Sequence, residues 1–176
     1  ENHYRLTSTC PNVNFSDATL LVNWIRLIKS ENEINYMKEG AKLVEVGMKT
    51  AYKNIKPGVK QSHVAGKIQN SLIGGNEEIN IGGEYAGLTT ILASGVSASA
   101  SHLTPKDNLF NNNEGTIIEL AGVKNRYHCP LSRTVYCGEP DSKTSDTMKI
   151  TNEGVEKAIS VTKPGNTAND VAVAFW

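Results

Sequence analysis

The sequence predicts an α+β fold in which two helices precede a small antiparallel sheet and a second copy of that arrangement begins. Three observations predict it. Apolar residues recur with helical spacing between positions 31 and 72, strand-like runs follow between positions 87 and 137, and a Lys-Pro-Gly tripeptide occurs twice. Because helices repeat every 3.6 residues and half-buried strands every two, these segments can be separated along the chain.

The first long helix is predicted from Glu31 to Ile55. Ser30 followed by Glu33 indicates a capping box at its start. Lys56-Pro57-Gly58 ends the helix, because proline lacks an amide donor and glycine permits the turn. The buried face is predicted from an apolar stripe with steps of three or four residues: Ile34, Met37, Ala41, Val44 and Met48.

Shorter patterns predict the remaining elements. Residues 1–20 are polar and show no period, so we expect either a loop or the tail of an upstream segment there. A second helix is predicted at Ser62–Leu72, and a further long helix at Ser145–Val161. Between them, three strands are predicted at Gly87–Ala93, Gly115–Val123 and Arg126–Cys137. The last two strands are joined by a predicted hairpin turn at Val123–Asn125.

The two Lys-Pro-Gly tripeptides form an internal repeat. Lys56-Pro57-Gly58 and Lys163-Pro164-Gly165 are each followed, six residues after the glycine, by Val-Ala. The repeat indicates either a duplicated helix–helix–strand unit or the chance recurrence of a helix-stop tripeptide. In the first case the second copy stops at Trp176, a few residues into its second helix, and we expect the chain to be a fragment at both ends.

Charge and cysteine content narrow the function classes. Lysine plus arginine and aspartate plus glutamate each number 18, so the formal net charge is zero. This balance argues against nucleic acids and acidic membranes as partners. No apolar run reaches the roughly 18 residues of a membrane span. Three cysteines without metal-ligand spacing indicate reduced thiols and a cytoplasmic protein.

His102 and Glu119 are the candidate catalytic residues. His102 follows a run of small residues, which lets backbone and substrate approach closely, and histidine exchanges protons near neutral pH. Glu119 lies in an apolar strand that is expected to be covered on both faces, where a carboxylate is costly unless it is paired. The alternatives are a polar surface histidine and an edge-strand glutamate that faces water.

The run from Arg126 to Thr134 is the densest in polar residues. Arg133 is a candidate substrate-binding residue because its planar guanidinium pairs with carboxylates, and a structural salt bridge is the alternative. Tyr127 is a second substrate-binding candidate. Pro130 removes a ladder hydrogen bond, which indicates that the strand is bulged or at a sheet edge.

Taken in order, these residues resemble the creatinase, prolidase and aminopeptidase P superfamily. The matching positions span nearly all of residues 20–172: Ile25–Met37, Lys56-Pro57-Gly58, His102, Glu119 and Ser132-Arg133-Thr134. The resemblance implies the pita-bread fold, with two helix–sheet repeats around a curved antiparallel sheet, and a homodimer. It makes residues 1–22 the tail of a missing N-terminal domain or a linker, and residues 23–176 a partial pita-bread catalytic domain.

The same resemblance bears on metal binding. Peptidases of this superfamily bind two divalent metals, and their first two ligands are aspartates. Glu119 resembles the first ligand position and Pro130 the second. Because proline has no side-chain donor atom, a lone glutamate is not expected to hold two ions, and no metal or other cofactor is predicted.

Within the superfamily the sequence is most similar to the metal-free ectoine hydrolases, over runs beginning at Leu21, Ser99 and Glu119. This implies hydrolytic opening of a cyclic amidine at its amidine carbon, to an N-acetyl-diaminobutyrate-type product. Glu119 would hold the cationic ring and either attack the carbon or activate water, while His102 would move protons to the leaving nitrogen. An Xaa-Pro metallopeptidase and a homologue that binds without catalysis are the alternatives.

Overall fold

Two short helices open the chain in the computed structural model, which describes residues 2–87 and 89–176. Helix α1 spans Asn2–Thr9 and helix α2 spans Leu21–Leu27, and none of their residues is buried. The prediction of a loop over residues 1–20 is therefore wrong for residues 2–9. Hydroxyl side chains of α1 donate to carbonyls three or four residues earlier, which satisfies polar side chains in a helix that has no apolar face.

Helices α3, Glu31–Asn54, and α4, Gln61–Gly74, pack side by side. The predicted capping box is confirmed, since the amide of Glu33 donates to the Ser30 hydroxyl and the amide of Ser30 donates to the Glu33 carboxylate. Burial is confined to the part of α3 from residue 40 onward. The predicted stripe is therefore correct at Val44 and Met48, whereas Ile34 is exposed.

A three-stranded antiparallel sheet follows, with strand order β1-β2-β3. Its strands are β1, Ile91–Ser94; β2, Glu114–Lys124; and β3, Tyr127–Cys137. A short 3₁₀ helix, Gly95–Ser99, directly follows β1 in the chain. The predicted first strand, Gly87–Ala93, is confirmed over Ile91–Ala93, and its residue 88 lies outside the described residues. Gly87 instead lies against β2, where a Cβ atom on it would approach the Val123 side chain to 2.6 Å.

The turn between β2 and β3 consists of Asn125 and Arg126, so the predicted three-residue turn over 123–125 is wrong. Both residues have positive φ, 47° and 66°, as a two-residue type I′ hairpin turn requires. The backbone amide of Asn125 donates to the Glu84 carboxylate at 2.7 Å, which holds the turn in place. Lys124 consequently pairs with Tyr127, and this pairing decides which side chains share a face of the sheet.

The hydrophobic core lies between α3, α4 and one face of the sheet. Ile118 and Leu120 of β2 point into it and are fully buried. Helix α3 can come close to β2 because Gly122 has no Cβ atom. A Cβ atom there would lie only 2.1 Å from the Gly40 carbonyl oxygen. Side chains alternate along β2, so Ile117 and Glu119 lie on the other face of the sheet, away from α3 and α4.

Helices α5, Ser142–Val161, and α6, Ala168–Phe175, pack against each other and against no other helix or strand of the described residues. Gly154 lies beneath the Phe175 ring. Both Lys-Pro-Gly tripeptides separate two helices, and Gly58 and Gly165 have positive φ. The helix pair of the predicted repeat therefore occurs twice. Across residues 2–87 and 89–176, the helices lack the combination of length and hydropathy that crossing a membrane requires.

Candidate active site

Glu119 and His102 meet on the sheet face that lies away from α3 and α4. Nε2 of His102 lies 3.6 Å from Oε2 of Glu119, which is ion-pair distance when the imidazole is protonated. Glu119 comes from the middle of β2, and His102 comes from the loop between β1 and β2. The Glu119 side chain is 30% exposed and the His102 side chain 72% exposed, so a solute can reach the pair.

His102 has a left-handed backbone conformation. Its φ of 61° lies in a region that non-glycine residues seldom adopt, although Asn, Asp and His are enriched there. This conformation sets the direction in which the imidazole leaves the loop between β1 and β2.

The neighbours of Glu119 on its own face are apolar on one side and polar on the other. Ile91 of β1 and Ser132 of β3 lie directly opposite it in the two ladders. Ile91 is 8% exposed and Ala121, two residues along β2, is 1% exposed, whereas Ser132 is exposed. The predicted cover on this face is thus confirmed at Ala121 but only partial at Glu119. The carboxylate is half-buried, and His102 supplies its charge partner.

Pro130 lies on the same face, diagonally across from Glu119. It pairs with Ala121 in a continuous register without a bulge, and β3 is an edge strand of the three-stranded sheet, as the proline predicts. Diagonal neighbours of this kind are about 7–8 Å apart. Pro130, which the family resemblance matches to the second carboxylate position of the dinuclear peptidases, therefore lies beside Glu119, and its side chain offers no ligand atom.

The residues that this chain places on the Glu119 face of the sheet do not fit a pair of metal ions. Two ions need at least one carboxylate from each of the two strand positions, and only Glu119 provides one. Within the part of the chain that the structure describes, no group of three or more His, Cys, Asp or Glu side chains is arranged to hold a metal ion.

Arg133 and Tyr127, the predicted substrate-binding residues, lie on the opposite face of the sheet. Arg133 pairs with Ile118, and its guanidinium donates to the Ser132 carbonyl at 2.7 Å. Tyr127 donates its hydroxyl to Oε1 of Glu33 in α3 at 2.6 Å. The structure therefore places neither side chain beside Glu119, and their substrate-binding roles stay predictions.

Two hydroxyl-bearing residues of β3, and not Arg133 or Tyr127, lie on the same face of the sheet as Glu119. Ser132 and Thr134 alternate with Arg133 along β3, lie opposite Glu119 and Ile117, and are exposed. The sequence pattern assigns neither of them a role. The period-two alternation of a strand would single them out, but only once the length of the β2–β3 turn is known.

The fold and the site together define the class of protein. Residues 35–176 match the model of metallopeptidase family M24, and the chain belongs to that family. The match confirms the predicted superfamily and its pita-bread fold. A solved structure, the prolidase from Pyrococcus horikoshii, superposes with a TM-score of 0.88 at 25% identity, over 99% of this chain and 48% of the prolidase chain.

Two relatives are more similar to this chain in sequence than the Pyrococcus horikoshii prolidase is. Ectoine hydrolase from Halomonas elongata is 41% identical over 168 residues, which cover 94% of this chain and 42% of the relative. An uncharacterised hydrolase/peptidase from Sinorhizobium fredii is 39% identical over 174 residues, which cover 99% of this chain and 44% of the relative. The chain thus spans less than half the length of these relatives.

Proposed function

We propose that the protein containing this chain hydrolyses a small cyclic amidine of the ectoine type without a metal ion. A single observation carries the proposal: one half-buried carboxylate, Glu119, lies beside His102 where Pro130 replaces the second carboxylate of a dinuclear site. The 41% identity to ectoine hydrolase supports the substrate class.

The charge of the substrate matches this arrangement. A cyclic amidine is protonated at neutral pH, and its positive charge is spread over both nitrogens. A carboxylate such as Glu119 attracts this group and can accept N–H hydrogen bonds from it. Two divalent cations beside the ring would repel it strongly in a partly desolvated site. A lone carboxylate with an imidazole neighbour is therefore better suited to this substrate than a metal pair.

The pair can perform a balanced hydrolysis. Glu119 takes a proton from water while the water oxygen bonds to the amidine carbon. Protonated His102 donates to one ring nitrogen, the bond between that nitrogen and the carbon breaks, and the remaining hydroxyl proton returns to His102 as an amide forms. The proton on Glu119 passes to the released amine. One amidinium and one water thus become an amide and an ammonium group.

The decisive experiment measures ectoine turnover by the complete protein after dialysis against a chelator. We expect activity to persist, and Glu119→Gln to lower kcat by roughly 10²–10⁴-fold, the usual contribution of general acid–base catalysis. Glu114→Gln, which removes a carboxylate from the same strand away from His102, is the control and should retain turnover. Loss of activity on chelation with recovery on adding a divalent ion would overturn the proposal.

An Xaa-Pro metallopeptidase is the second candidate, and family membership together with the likeness to a prolidase favours it. Two bound metals per chain and metal-dependent cleavage of an Xaa-Pro dipeptide by the complete protein would establish it. Tight ectoine binding without turnover would instead identify a homologue that only binds. The homodimer and the cytoplasmic location stay predictions.

A further inference from the structure

We propose that the hydroxyls of Ser132 and Thr134, and not the guanidinium of Arg133, bind the carboxylate of the substrate. This inference rests on the proposed function, because it concerns the anionic end of a ring whose cationic end contacts Glu119. It assigns substrate recognition to the edge strand β3.

The strand register carries the first step. Ser132 lies directly opposite Glu119, and Thr134 lies opposite Ile117 on the same face. Directly opposed residues have Cβ atoms about 4.5–5.5 Å apart. Two residues along a strand add roughly 7 Å. A six-membered ring held by Glu119 at its amidine edge therefore extends a substituent into the range of one or both hydroxyls.

The second step concerns whether the hydroxyls of Ser132 and Thr134 are free to bind a ligand. Both side chains are exposed, and neither hydroxyl donates to or accepts from another group among the residues that the structure describes. The next side chain of β3 on this face is already engaged within the fold, because Tyr136 donates its hydroxyl to the Asn113 carbonyl. Ser132 and Thr134 thus keep their donors for a ligand.

The third step concerns charge. An arginine on the face of Glu119 would pair with that carboxylate and compete with the cationic ring. The structure keeps Arg133 on the opposite face, beside Ile118, and so prevents this. Neutral hydroxyls can donate to a substrate carboxylate without neutralising Glu119. The arrangement therefore suits a zwitterionic substrate, with its cationic part on Glu119 and its carboxylate on β3.

The test compares ectoine with the same ring lacking its carboxylate, using the complete protein. We expect Ser132→Ala and Thr134→Val each to lower the ratio of kcat/KM for ectoine to kcat/KM for the carboxylate-free ring by roughly tenfold or more, as loss of a hydrogen bond to a charged group implies. The loss should appear in KM and not in kcat. Ser132→Thr, which keeps a hydroxyl, should restore the ratio.

Arg133→Gln is the matched control, since it removes a donor from the adjacent position on the opposite face. It should leave the ratio unchanged. An unchanged ratio in Ser132→Ala and Thr134→Val, or a selective fall in Arg133→Gln, would overturn this inference while leaving amidine hydrolysis intact. A parent protein that opens neither ring would overturn the proposed function itself, and this inference with it.

Discussion

Tyr127 donates a hydrogen bond to Oε1 of Glu33 at 2.6 Å, between residues 94 positions apart in the chain. Glu33 also closes the capping box with Ser30, so one carboxylate joins the start of α3 to the start of β3. The bond from Tyr127, followed by the bonds from Ser30, lowers the pKa of Glu33 to about 2. The run Ile25–Met37, which carries part of the family resemblance, therefore helps to fasten a helix to the sheet.

Replacing Tyr127 with Phe should make the free energy of unfolding less sensitive to acid. A carboxylate with a lowered pKa in the folded state stabilises the fold above its unfolded value, here 4.5, and this contribution is lost as the pH falls towards about 2. The parent should lose stability more steeply than Tyr127→Phe over that interval. Urea unfolding of the complete protein at several pH values measures the two slopes.

The same hydrogen bond raises the pKa of Tyr127, so the parent should also lose stability as the pH rises above about 10. Tyr127→Phe should lack this alkaline loss. Tyr36→Phe is a suitable control because it keeps the ring whose centroid lies 5.8 Å from that of Tyr127, removes only the Tyr36 hydroxyl, and leaves the bond from Tyr127 to Glu33 in place. Identical acid slopes in the parent and in Tyr127→Phe would show that the bond does not set the pKa of Glu33.

Gly122→Ala should destabilise the protein by about 1–3 kcal/mol, the usual effect of overpacking a core. The added Cβ atom would lie 2.1 Å from the Gly40 carbonyl oxygen and 2.7 Å from the Val44 amide nitrogen, so α3 would have to move away from β2. Gly66→Ala in α4 is the matched control. Its Cβ atom would meet nothing within 4 Å, and it should stabilise the helix by roughly 1 kcal/mol. Chemical denaturation midpoints distinguish the two, and a neutral Gly122→Ala would contradict the close packing.

Two fully buried threonines should respond oppositely to replacement by valine. Thr90 is 0% exposed, and its hydroxyl has no hydrogen-bond partner among the described residues. Thr116 is also 0% exposed, and its hydroxyl donates to Ser94 at 2.9 Å. Because an unsatisfied buried hydroxyl costs about 1–3 kcal/mol, Thr90→Val should raise the thermal midpoint, whereas Thr116→Val should lower it. A fall in both variants would show that the Thr90 hydroxyl is satisfied.

His102→Asn should lower kcat for ectoine by roughly 10²–10⁴-fold while leaving the thermal midpoint unchanged. Asparagine accepts the φ of 61° at this position but cannot exchange a proton near neutral pH. His102→Ala should lose the same activity and also some stability, because alanine is strained in the left-handed region. Full turnover by His102→Asn would exclude the proton transfer assigned to His102.

The sequence predicted those features that depend on neighbouring residues. The capping box of Ser30 and Glu33, the helix stop at Lys56-Pro57-Gly58 and the edge position of Pro130 all follow from local backbone chemistry, and each is found in the structure. Helix α1 was missed because its hydroxyl side chains satisfy themselves locally and leave no apolar period to detect.

The placement of Arg133 and Tyr127 shows that sequence patterns did not predict which face of the sheet the β3 side chains occupy. A turn over residues 123–125 would place both side chains on the face of Glu119, because the pairing would shift by an odd number of residues. The two-residue turn at Asn125 and Arg126 places them on the face of α3. Neither Asn125 nor Arg126 is a glycine, so the usual Asn-Gly signal of a type I′ turn is absent.

By itself the sequence determined the long helices and the two long strands, and which positions can supply a carboxylate, an imidazole or no ligand atom. Only the tertiary structure decided that His102 meets Glu119 and that Ser132 and Thr134, not Arg133, share its face. The physical reason is the period of a strand. Side chains alternate every residue, so a change of one residue in a turn moves every later side chain of the strand to the opposite face.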